Sequence, residues 1–347
     1  MVGKVILYYF TGTGNARAAA NWIARISNEK NIPVEICRIT PSLRPVISKS
    51  ENNTLIGFCY PTHGFNAPPV VIRFLMRFPK GNNRIFLLNT RAGMKLSKLF
   101  LPGLSGLAQL FPALLLLLKG YKIAGLQPMD LPSNWISLHP GLRAEVVVSI
   151  FQRCEKIMER FAEKILYGKN VYKGLLSLPI DLLISPVSLA YYFLGRFVLA
   201  KTFIAGNSCN GCSVCEKECP VHAIEMKNGR PFWTFKCESC MHCMNRCPKR
   251  AIQTPHLFVV LLWWLVFGVL PLFIVKNILG VTTGDTSLYN LLFDAITIVT
   301  AFPVIFFSYR ILHFLMKFRF FNRLITFTSL TKFKFWRRYF APEKFLS

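Results

Sequence analysis

One cysteine pattern occurs twice in this chain and constrains its fold more than any other feature. The two copies are Cys209-x2-Cys212-x2-Cys215-x3-Cys219-Pro220 and Cys237-x2-Cys240-x2-Cys243-x3-Cys247-Pro248. In each copy three thiolates lie in one tight loop, suited to neighbouring atoms of one polynuclear metal centre, while the fourth is held away from them. The repeat predicts a small α+β metal-binding domain over residues 205–256.

The spacing favours two [4Fe–4S] clusters, as in bacterial two-cluster ferredoxins, over the alternatives. Structural zinc uses paired C-x2-C arms, and disulfides belong to oxidising compartments, and neither accounts for a middle cysteine and a trailing Cys-Pro in both copies. In such domains the fourth cysteine of one run binds the other cluster. We therefore expect cluster one to use Cys209, Cys212, Cys215 and Cys247, and cluster two to use Cys237, Cys240, Cys243 and Cys219.

The remaining cysteines and the nearby histidines are not expected to bind metal. Cys37, Cys59 and Cys154 are scattered in apolar surroundings, which predicts buried, inert thiols. His222 and His242 adjoin the cysteine runs and are predicted to support the ligands rather than to be ligands. This cysteine usage fits a reducing compartment.

Residues 1–170 alternate between strand-like and helix-like segments. Strands are predicted at residues 4–10, 33–39, 54–60, 84–89 and 121–127, and helices at 16–29, 69–78, 104–119 and 140–167. Such alternation is typical of a doubly wound α/β domain with a parallel sheet. Residues 100–118 are apolar but contain prolines and glycines, so a helix packed on the sheet is predicted rather than a membrane span.

A glycine-rich turn joins the first predicted strand to the first helix. It consists of Thr11, Gly12, Thr13, Gly14 and Asn15. Backbone N–H groups at the start of a helix bind phosphate, and glycine allows a close approach. The turn has neither the Gly-Lys-Ser/Thr of a P-loop nor the third glycine of a dinucleotide site, which leaves a phosphomonoester as the expected ligand and a purely structural turn as the alternative.

Residues 8–15, Tyr-Tyr-Phe-Thr-Gly-Thr-Gly-Asn, resemble the phosphate loop of flavodoxins. Together with the downstream cysteine domain, residues 1–256 resemble the flavodoxin–ferredoxin fusion proteins of anaerobic bacteria and archaea. The resemblance implies FMN, with its ring flanked by the loops after the third and fourth strands. The matching residues are Pro61, Thr62, His63, Gly64, Phe65 and Asn66, and Asn89, Thr90, Arg91, Ala92 and Gly93.

Details of this resemblance bear on how FMN would be held. His63 and Phe65 are the candidates to pack against the ring, and residues 131–135 resemble the family's segment after the last strand. Two features depart from the family: Ala16 stands where a threonine or serine is common, and the domain is basic where flavodoxins are usually acidic. The first removes a phosphate donor, and the second changes the expected partner.

The rest of the chain is predicted to associate with a membrane. Residues 171–204 form an apolar connector, interpreted as an interdomain packing segment or an interfacial helix. Residues 257–316 contain two long apolar segments, 257–275 and 288–309, which predict a transmembrane hairpin followed by a basic tail at 317–347. The positive-inside rule places the soluble domains and the C-terminus on the cytosolic side of the cytoplasmic membrane.

The net charge of +26 restricts the class of partner. No nucleic-acid module is recognisable, so an acidic redox protein or an anionic lipid surface is expected instead of DNA or RNA. A quinone is a further possible partner, because the hairpin reaches the lipid phase.

The leading hypothesis is a membrane-anchored electron carrier in which FMN exchanges electrons with two [4Fe–4S] clusters. No nucleophile or acid–base constellation predicts catalytic residues. One alternative is a flavin-dependent reductase of a small molecule or quinone, fed by the clusters. Another is a membrane-bound ferredoxin whose flavodoxin-like domain is an empty docking module, an alternative that Ala16 keeps open.

Overall fold

The computed structural model describes residues 2–45, 53–281 and 286–346. Its N-terminal part alternates strands and helices. The strands are β1 (Lys4–Tyr9), β2 (Val34–Arg38), β3 (Thr54–Pro61), β4 (Arg84–Leu96), β5 (Leu99–Leu101) and β6 (Lys122–Pro132). The helices are α1 (Asn15–Glu29), α2 (Pro69–Arg77), α3 (Leu107–Leu118) and α4 (Ala144–Leu166).

Five of these strands form a parallel sheet in the order β2-β1-β3-β4-β6. This is the 2-1-3-4-5 order of flavodoxin-like folds, so the predicted fold class is confirmed. Strand β3 is buried along almost its whole length because helices cover both faces of the sheet. The carboxyl ends of β1, β3, β4 and β6 meet at one edge, where ligands of such sheets collect.

Strand β4 differs from the prediction. Residues 89–93 were predicted as a loop after the strand, but β4 continues to Leu96 because β6 pairs with it as far as Gly93 and Pro132. Beyond this point the short strand β5 folds back antiparallel on β4. The side chains of residues 89–93 are therefore held by a strand ladder rather than by a loop.

The connector forms three short helices, α5 (Leu178–Leu183), α6 (Ser185–Ala190) and α7 (Arg196–Ala200), with a π-helical turn over Tyr191–Gly195. Its two halves are bent by 79°. The buried carboxylate of Asp181 accepts hydrogen bonds from the backbone N–H groups of Ser105 (3.0 Å) and Gly106 (2.7 Å). The polar residue that interrupts this apolar segment thus fastens it to the loop before α3. The other face remains apolar and exposed, with Leu176 and Leu183 at least 80% accessible.

The cysteine domain is built from short elements. They are β7 (Ile204–Ala205), α8 (Val214–Lys217), β8 (Ile224–Lys227), β9 (Arg230–Trp233), α9 (His242–Arg246) and β10 (Ile252–Gln253). Strand β7 pairs with β10 and β8 with β9, both antiparallel.

Two long apolar helices follow the cysteine domain. The first apolar helix, His256–Ile278, consists of α10 (His256–Trp264) and α11 (Leu270–Phe273), each followed by a π-helical turn, Leu265–Val269 and Ile274–Ile278. The second apolar helix is α12 (Thr286–Leu315). Both are long and apolar enough to cross a membrane, and both extend beyond the predicted segments because the flanking turns stay helical past Lys276 and Arg310.

The basic C-terminal residues, predicted as a tail, fold onto the rest of the chain. After α13 (Arg319–Phe327), the chain returns across the cysteine domain to the flavodoxin-like domain, and we call residues 336–346 the strap. The indole of Trp336 donates a hydrogen bond to the carbonyl of Ile136 (2.6 Å), and the N–H of Ala341 donates to the carbonyl of Thr13 (2.8 Å). Phe345 stacks on Phe151 with ring centroids 4.8 Å apart. Aromatic residues among the basic ones bind this segment to the fold.

The strap should detach when its aromatic anchor is removed. Phe345→Ala removes a mostly buried ring from the Phe151 contact and is expected to cost about 3 kcal/mol of local stability. Trypsin should then cleave at Arg337 and Arg338 faster than in the unsubstituted protein. Phe335→Ala, which truncates a 58% exposed ring just before the strap, is the control and should leave the cleavage rate unchanged. Equal resistance of the two variants would contradict a docked strap.

Candidate functional site

The two cysteine runs fold as two copies of one backbone path. Residues with positive φ occur at matching positions of the two runs. They are Gly211 and Ser239, Ser213 and Met241, and His222 and Arg250. Each run thus makes the same left-handed turns, which curl a loop of three cysteines around a point.

The structure brings the eight cysteines together in the two crossed sets. Cys209, Cys212, Cys215 and Cys247 line one pocket of about 350 Å³, including its mouth. The charges of Cys237, Cys240 and Cys243 interact with one another and with Cys219. Burial and neighbouring thiols raise the pKa of Cys215 to about 12, and burial, more than its neighbours, raises that of Cys237 to about 12. When a metal centre binds such buried thiols, it displaces their protons and the thiols become thiolates.

Backbone N–H groups point at several cysteine sulfurs. The N–H of Ala223 lies 3.3 Å from Cys219 Sγ, and that of Ala251 lies 3.3 Å from Cys247 Sγ. The same contact at matching positions of both runs follows from their shared backbone path. Hydrogen bonds to cluster sulfurs are one of the means by which a protein sets cluster potential.

The donors that the two runs offer are all thiols, four in each set. In residues 2–45, 53–281 and 286–346, no three His, Cys, Asp or Glu side chains converge where one metal ion would sit. An iron–sulfur cluster takes four cysteines spread over several irons, and each set fits that requirement.

A second pocket lies at the carboxyl edge of the parallel sheet, and we call it the sheet-edge pocket. Its volume is about 610 Å³ including its mouth. Most of the residues predicted to hold FMN line it, namely Thr11, Gly12, Thr13, Asn15, Pro61, Thr62, His63, Gly64, Thr90, Arg91 and Ala92. The rest of the wall is formed by Pro132–Trp135 at the end of β6, by Tyr191 of the connector and by Ser239 of the cysteine domain.

The other residues predicted to hold FMN lie behind the wall of the sheet-edge pocket. Asn66 pairs with His63 through both backbone groups, and the amide of Asn89 donates to the hydroxyls of Thr62 (2.8 Å) and Ser105 (3.1 Å). Gly93 is so close to the Asp130 carbonyl that an added Cβ would lie 2.2 Å from its oxygen. Phe65 accepts hydrogen bonds at its carbonyl from Leu107 and Ser188, and Gly14 contacts Ala341. These residues support the pocket without lining it.

Several polar atoms of the pocket wall have no protein partner. Both ring nitrogens of His63 and the indole nitrogen of Trp135 are buried and lack a hydrogen-bond partner among the described residues, whereas the Ser239 hydroxyl is engaged with the Cys237 thiol. Burial of a polar group without a partner is costly, so such atoms commonly mark ligand positions. A planar heterocycle with donors and acceptors on its edge fits this wall.

Burial also fixes the charge of His63. Desolvation lowers the pKa of this imidazole to about 4, so it is neutral at physiological pH. Arg91 lines the same pocket but is paired with Asp130, with 2.6 Å between Nε and Oδ1 and 3.3 Å between Nη2 and Oδ2. The pocket thus carries no unpaired charge from these two side chains.

The cysteine domain packs directly against the glycine-rich turn. An added Cβ at Gly12 would lie 2.3 Å from the carbonyl oxygen of Cys240, and His242 Nδ1 donates to the Gly12 carbonyl (2.6 Å). On the other side, buried Glu238 pairs with Arg73 of α2 at 3.1 Å, and burial raises the pKa of Glu238 to about 7. The loop that carries the second cysteine set is therefore part of the sheet-edge pocket.

Sequence reasoning missed Tyr191 and Ser239. The Tyr191 ring lies flat on Gly64, where an added Cβ would be 2.1 Å from the ring, and it meets Trp135 edge-on with ring centroids 6.4 Å apart. Three successive aromatic residues at 191–193 in an aliphatic connector were the available signal. Ser239 gave no signal beyond its place between two cysteines. Among the remaining thiols, Cys59 and Cys154 are buried as predicted, but Cys37 is only half-buried because β2 is an edge strand.

Comparison with known families decides the chemistry of the cysteine domain. Residues 208–252 match the 4Fe-4S dicluster domain family. This part of the chain is an iron–sulfur domain. Among curated proteins, no sequence matches the chain.

Solved structures similar to the N-terminal part are flavodoxins and related proteins. Flavodoxin 1 from Bacillus cereus is 15% identical, with 45% of this chain and 97% of that chain covered and a TM-score of 0.30. Megasphaera elsdenii flavodoxin is 17% identical, with 44% and 98% covered and a TM-score of 0.29. General stress protein 14 from Treponema denticola, solved with FMN, is 10% identical, with 46% and 98% covered and a TM-score of 0.31. The strand order, rather than these low scores, assigns the fold.

Crossed cysteine sets make a direct prediction for iron content and spectra. Cys247→Ala should remove the same iron–sulfur signal as Cys209→Ala, because both residues line one cavity. Cys219→Ala should instead match Cys237→Ala. Iron analysis and electron paramagnetic resonance of the reduced proteins provide the measurement. If Cys247→Ala matched Cys237→Ala, the crossed assignment would be wrong.

Burial of neutral His63 predicts acid sensitivity. Its pKa is about 4 in the folded chain and about 6.5 when unfolded, so the unfolded chain binds more protons between these values and stability falls as pH decreases through this range. The full loss is on the order of 3 kcal/mol. His63→Gln should flatten the dependence of the thermal midpoint on pH from 6.5 to 4, whereas substitution of exposed His222 by Gln should not. Identical pH profiles for all three proteins would refute this role.

Proposed function

We propose that the protein is a membrane-anchored electron carrier in which FMN, held in the sheet-edge pocket, exchanges electrons with two [4Fe–4S] clusters. One observation carries the proposal: Ser239, located between the cluster-two cysteines Cys237 and Cys240, lines the same pocket as the sheet loops. The flavin and the second cluster would then be neighbours without any domain movement. The iron–sulfur domain and the flavodoxin-like fold are both typical of electron transfer.

The pocket residues suggest how FMN would be held. Backbone N–H groups at the start of α1 would receive the phosphate, and the wall of Trp135, Tyr191 and His63 would receive the ring. FMN supplies a centre that takes one or two electrons, whereas each cluster passes one at a time. Because burial keeps His63 neutral, it is able to donate a hydrogen bond to the ring edge without adding a charge.

Fewer side-chain donors are free at the phosphate end of the sheet-edge pocket than would be expected for a tight FMN site. Asn15 uses its amide on the Pro132 carbonyl (2.9 Å) and its oxygen on the Tyr339 hydroxyl, and the hydroxyl of Thr13 accepts from Asn134 (2.9 Å). Ala16 contributes no donor side chain. The side-chain donors left for a phosphate are the hydroxyl protons of Thr11 and Thr13, whose oxygens accept from the Gly14 N–H and the Asn134 amide. The missing donor at Ala16 favours weaker FMN retention. This is the observation that supports the alternative, a membrane-bound ferredoxin with an empty flavodoxin-like docking domain.

Two basic surfaces support the proposed partners. A cleft of about 1340 Å³, including its opening, lies beside Cys219 and is lined by exposed Arg17, Arg38, Lys217 and Arg246, with Glu218 and Glu343. Arg246 is paired with Glu218, and the remaining basic residues would attract an acidic redox protein close to cluster two. A second cavity of about 1000 Å³ adjoins the start of the first apolar helix. Its basic residues are Lys249, Arg250, Arg323, Lys332 and Lys334. Anionic lipid headgroups suit this cavity if the helices span the membrane with the soluble domains on the cytosolic side.

Cofactor content tests the relay. The full-length protein, purified anaerobically in detergent, should contain one FMN and about eight irons per chain. Rapid reduction of the flavin by light should then be followed by bleaching of cluster absorbance within the same molecule. Gly12→Ala should slow this step because its Cβ displaces Cys240, whereas Gly3→Ala, whose Cβ would have its nearest neighbour at 3.5 Å, should not.

The outcomes separate the two candidates. Eight irons without flavin, even after incubation with FMN, would eliminate the relay and leave the anchored ferredoxin with a docking domain. Bound flavin with no electron exchange in either glycine variant or the parent would eliminate the relay as well.

A further inference from the structure

A third cavity lies where the two apolar helices meet the iron–sulfur domain, and we call it the hairpin cavity. Its volume is about 520 Å³ including its opening. Its lining comes from the connector, both apolar helices and the segment before them, and comprises Val198, Lys201, Thr202, Pro255, Phe258, Val259, Leu262, Trp263, Val266, Phe267, Ile305, Tyr309 and Leu312. The wall is almost entirely apolar, and the polar side chains on it are Lys201, Thr202 and Tyr309.

Two of these polar side chains are buried and structurally fixed. The Lys201 ammonium donates to the Trp233 carbonyl and lies against the rings of Phe232, Phe235 and Tyr309, 4.3–5.1 Å from their centroids. The Tyr309 hydroxyl accepts a hydrogen bond from the N–H of Trp233 (3.1 Å), and its own proton has no acceptor among the described residues. Tyr309 is 3% exposed and Lys201 7%. The wall of the cavity thus includes one residue with an available hydroxyl proton and one with a buried ammonium group that lies against the ring of the first.

The same residues lead to the second cysteine set. Trp233, which contacts both Lys201 and Tyr309, has a buried side chain beside the Cys243 thiol. The charge of Lys201 also interacts with Cys237. One buried residue therefore separates the polar end of the cavity from the cysteines of cluster two.

The first apolar helix is locally irregular at this cavity. Its π-helical turn over Leu265–Val269 places Val266 and Phe267 on the cavity wall. Such turns inside α-helices widen the helix at one point and occur frequently at functional sites. The opening of the cavity includes Trp263, which is 62% exposed on a helix apolar enough to lie in lipid.

We propose that the hairpin cavity binds the headgroup of an isoprenoid quinone, with the tail leaving between the two apolar helices. The Tyr309 hydroxyl would donate to one quinone carbonyl, and the Lys201 ammonium would stabilise charge that develops on the ring. The proposal rests on the proposed electron-carrier function and names its acceptor. A lipid acyl chain needs only apolar walls, whereas a buried donor and cation next to a redox centre suit a reducible carbonyl compound.

The redox step balances with components of the proposed function. One quinone takes two electrons, delivered singly through cluster two, and two protons from water at the membrane face, and becomes one quinol. The iron–sulfur clusters would supply these electrons, and a flavin in the sheet-edge pocket or an acidic redox protein docked beside Cys219 would reduce them again. Lys201 and Tyr309 position the headgroup and are unchanged at the end.

Binding is tested with decylubiquinone on the full-length protein in detergent with oxidised clusters. Quenching of tryptophan fluorescence gives the dissociation constant of decylubiquinone. The matched probe is decylbenzene, which has the same chain without carbonyls and does not quench, so its dissociation constant is obtained from competition with decylubiquinone. Tyr309→Phe should weaken decylubiquinone binding about tenfold, the value of one hydrogen bond, and leave decylbenzene unaffected. Leu262→Trp should fill the cavity and abolish binding, whereas Leu261→Trp, one position along and outside the lining, should not.

A second measurement follows electron transfer from the reduced clusters to the quinone. After reduction with dithionite and removal of the excess, addition of decylubiquinone should restore cluster absorbance in the parent and in Leu261→Trp but not in Leu262→Trp. Equal affinity for decylbenzene and decylubiquinone, with no effect of Tyr309→Phe, would identify a lipid groove and overturn the proposal. Neither readout requires flavin, so a protein that fails to bind FMN still tests the quinone site, and an intact flavin relay does not rescue a failed one.

Discussion

The contact on which this structure depends is the approach of the Gly12 backbone to the carbonyl of Cys240. It exists because glycine has no side chain at a position where the two domains would otherwise collide. Around it, His242 holds the Gly12 carbonyl and Asn134 reaches both Thr13 and the Cys240 carbonyl. A cluster loop that in an isolated domain would face solvent is thereby built into the wall of a neighbouring pocket.

The strap and the connector hold this contact in place from opposite sides. The strap connects the glycine-rich turn at the start of α1 to the cysteine domain through Tyr339, which is hydrogen-bonded to both Asn15 and Asn245. The connector adds Asp181, Ser188 and Tyr191 to the loops at the other end of the pocket. The connector directly precedes the iron–sulfur domain in the sequence, whereas the strap follows it only after both apolar helices and α13. The position of the domain is therefore fixed by one covalent neighbour and by contacts with a segment that is distant in the sequence.

The features that depend on short stretches of sequence were predicted correctly. The cysteine spacing identified the iron–sulfur domain, alternating segments identified the parallel sheet, and apolar length identified two helices able to cross a membrane. The misses all depend on contacts between distant residues. Strand β4 continues past Asn89 because β6 offers it partners, and the basic C-terminal segment folds because Trp336 and Phe345 find pockets that no local pattern encodes. Tyr191 could not be assigned for the same reason, since only the bend of the connector brings it to Gly64.

The return path of the strap imposes an order on biosynthesis. Helix α1 and the glycine-rich turn are made first, yet the residues that close over them, Tyr339 and Ala341, are made only after both apolar helices. During synthesis the glycine-rich turn therefore lacks its contacts with Tyr339 and Ala341 until nearly the whole chain has been made. A chain that stopped before these residues would leave that turn without the strap that covers it.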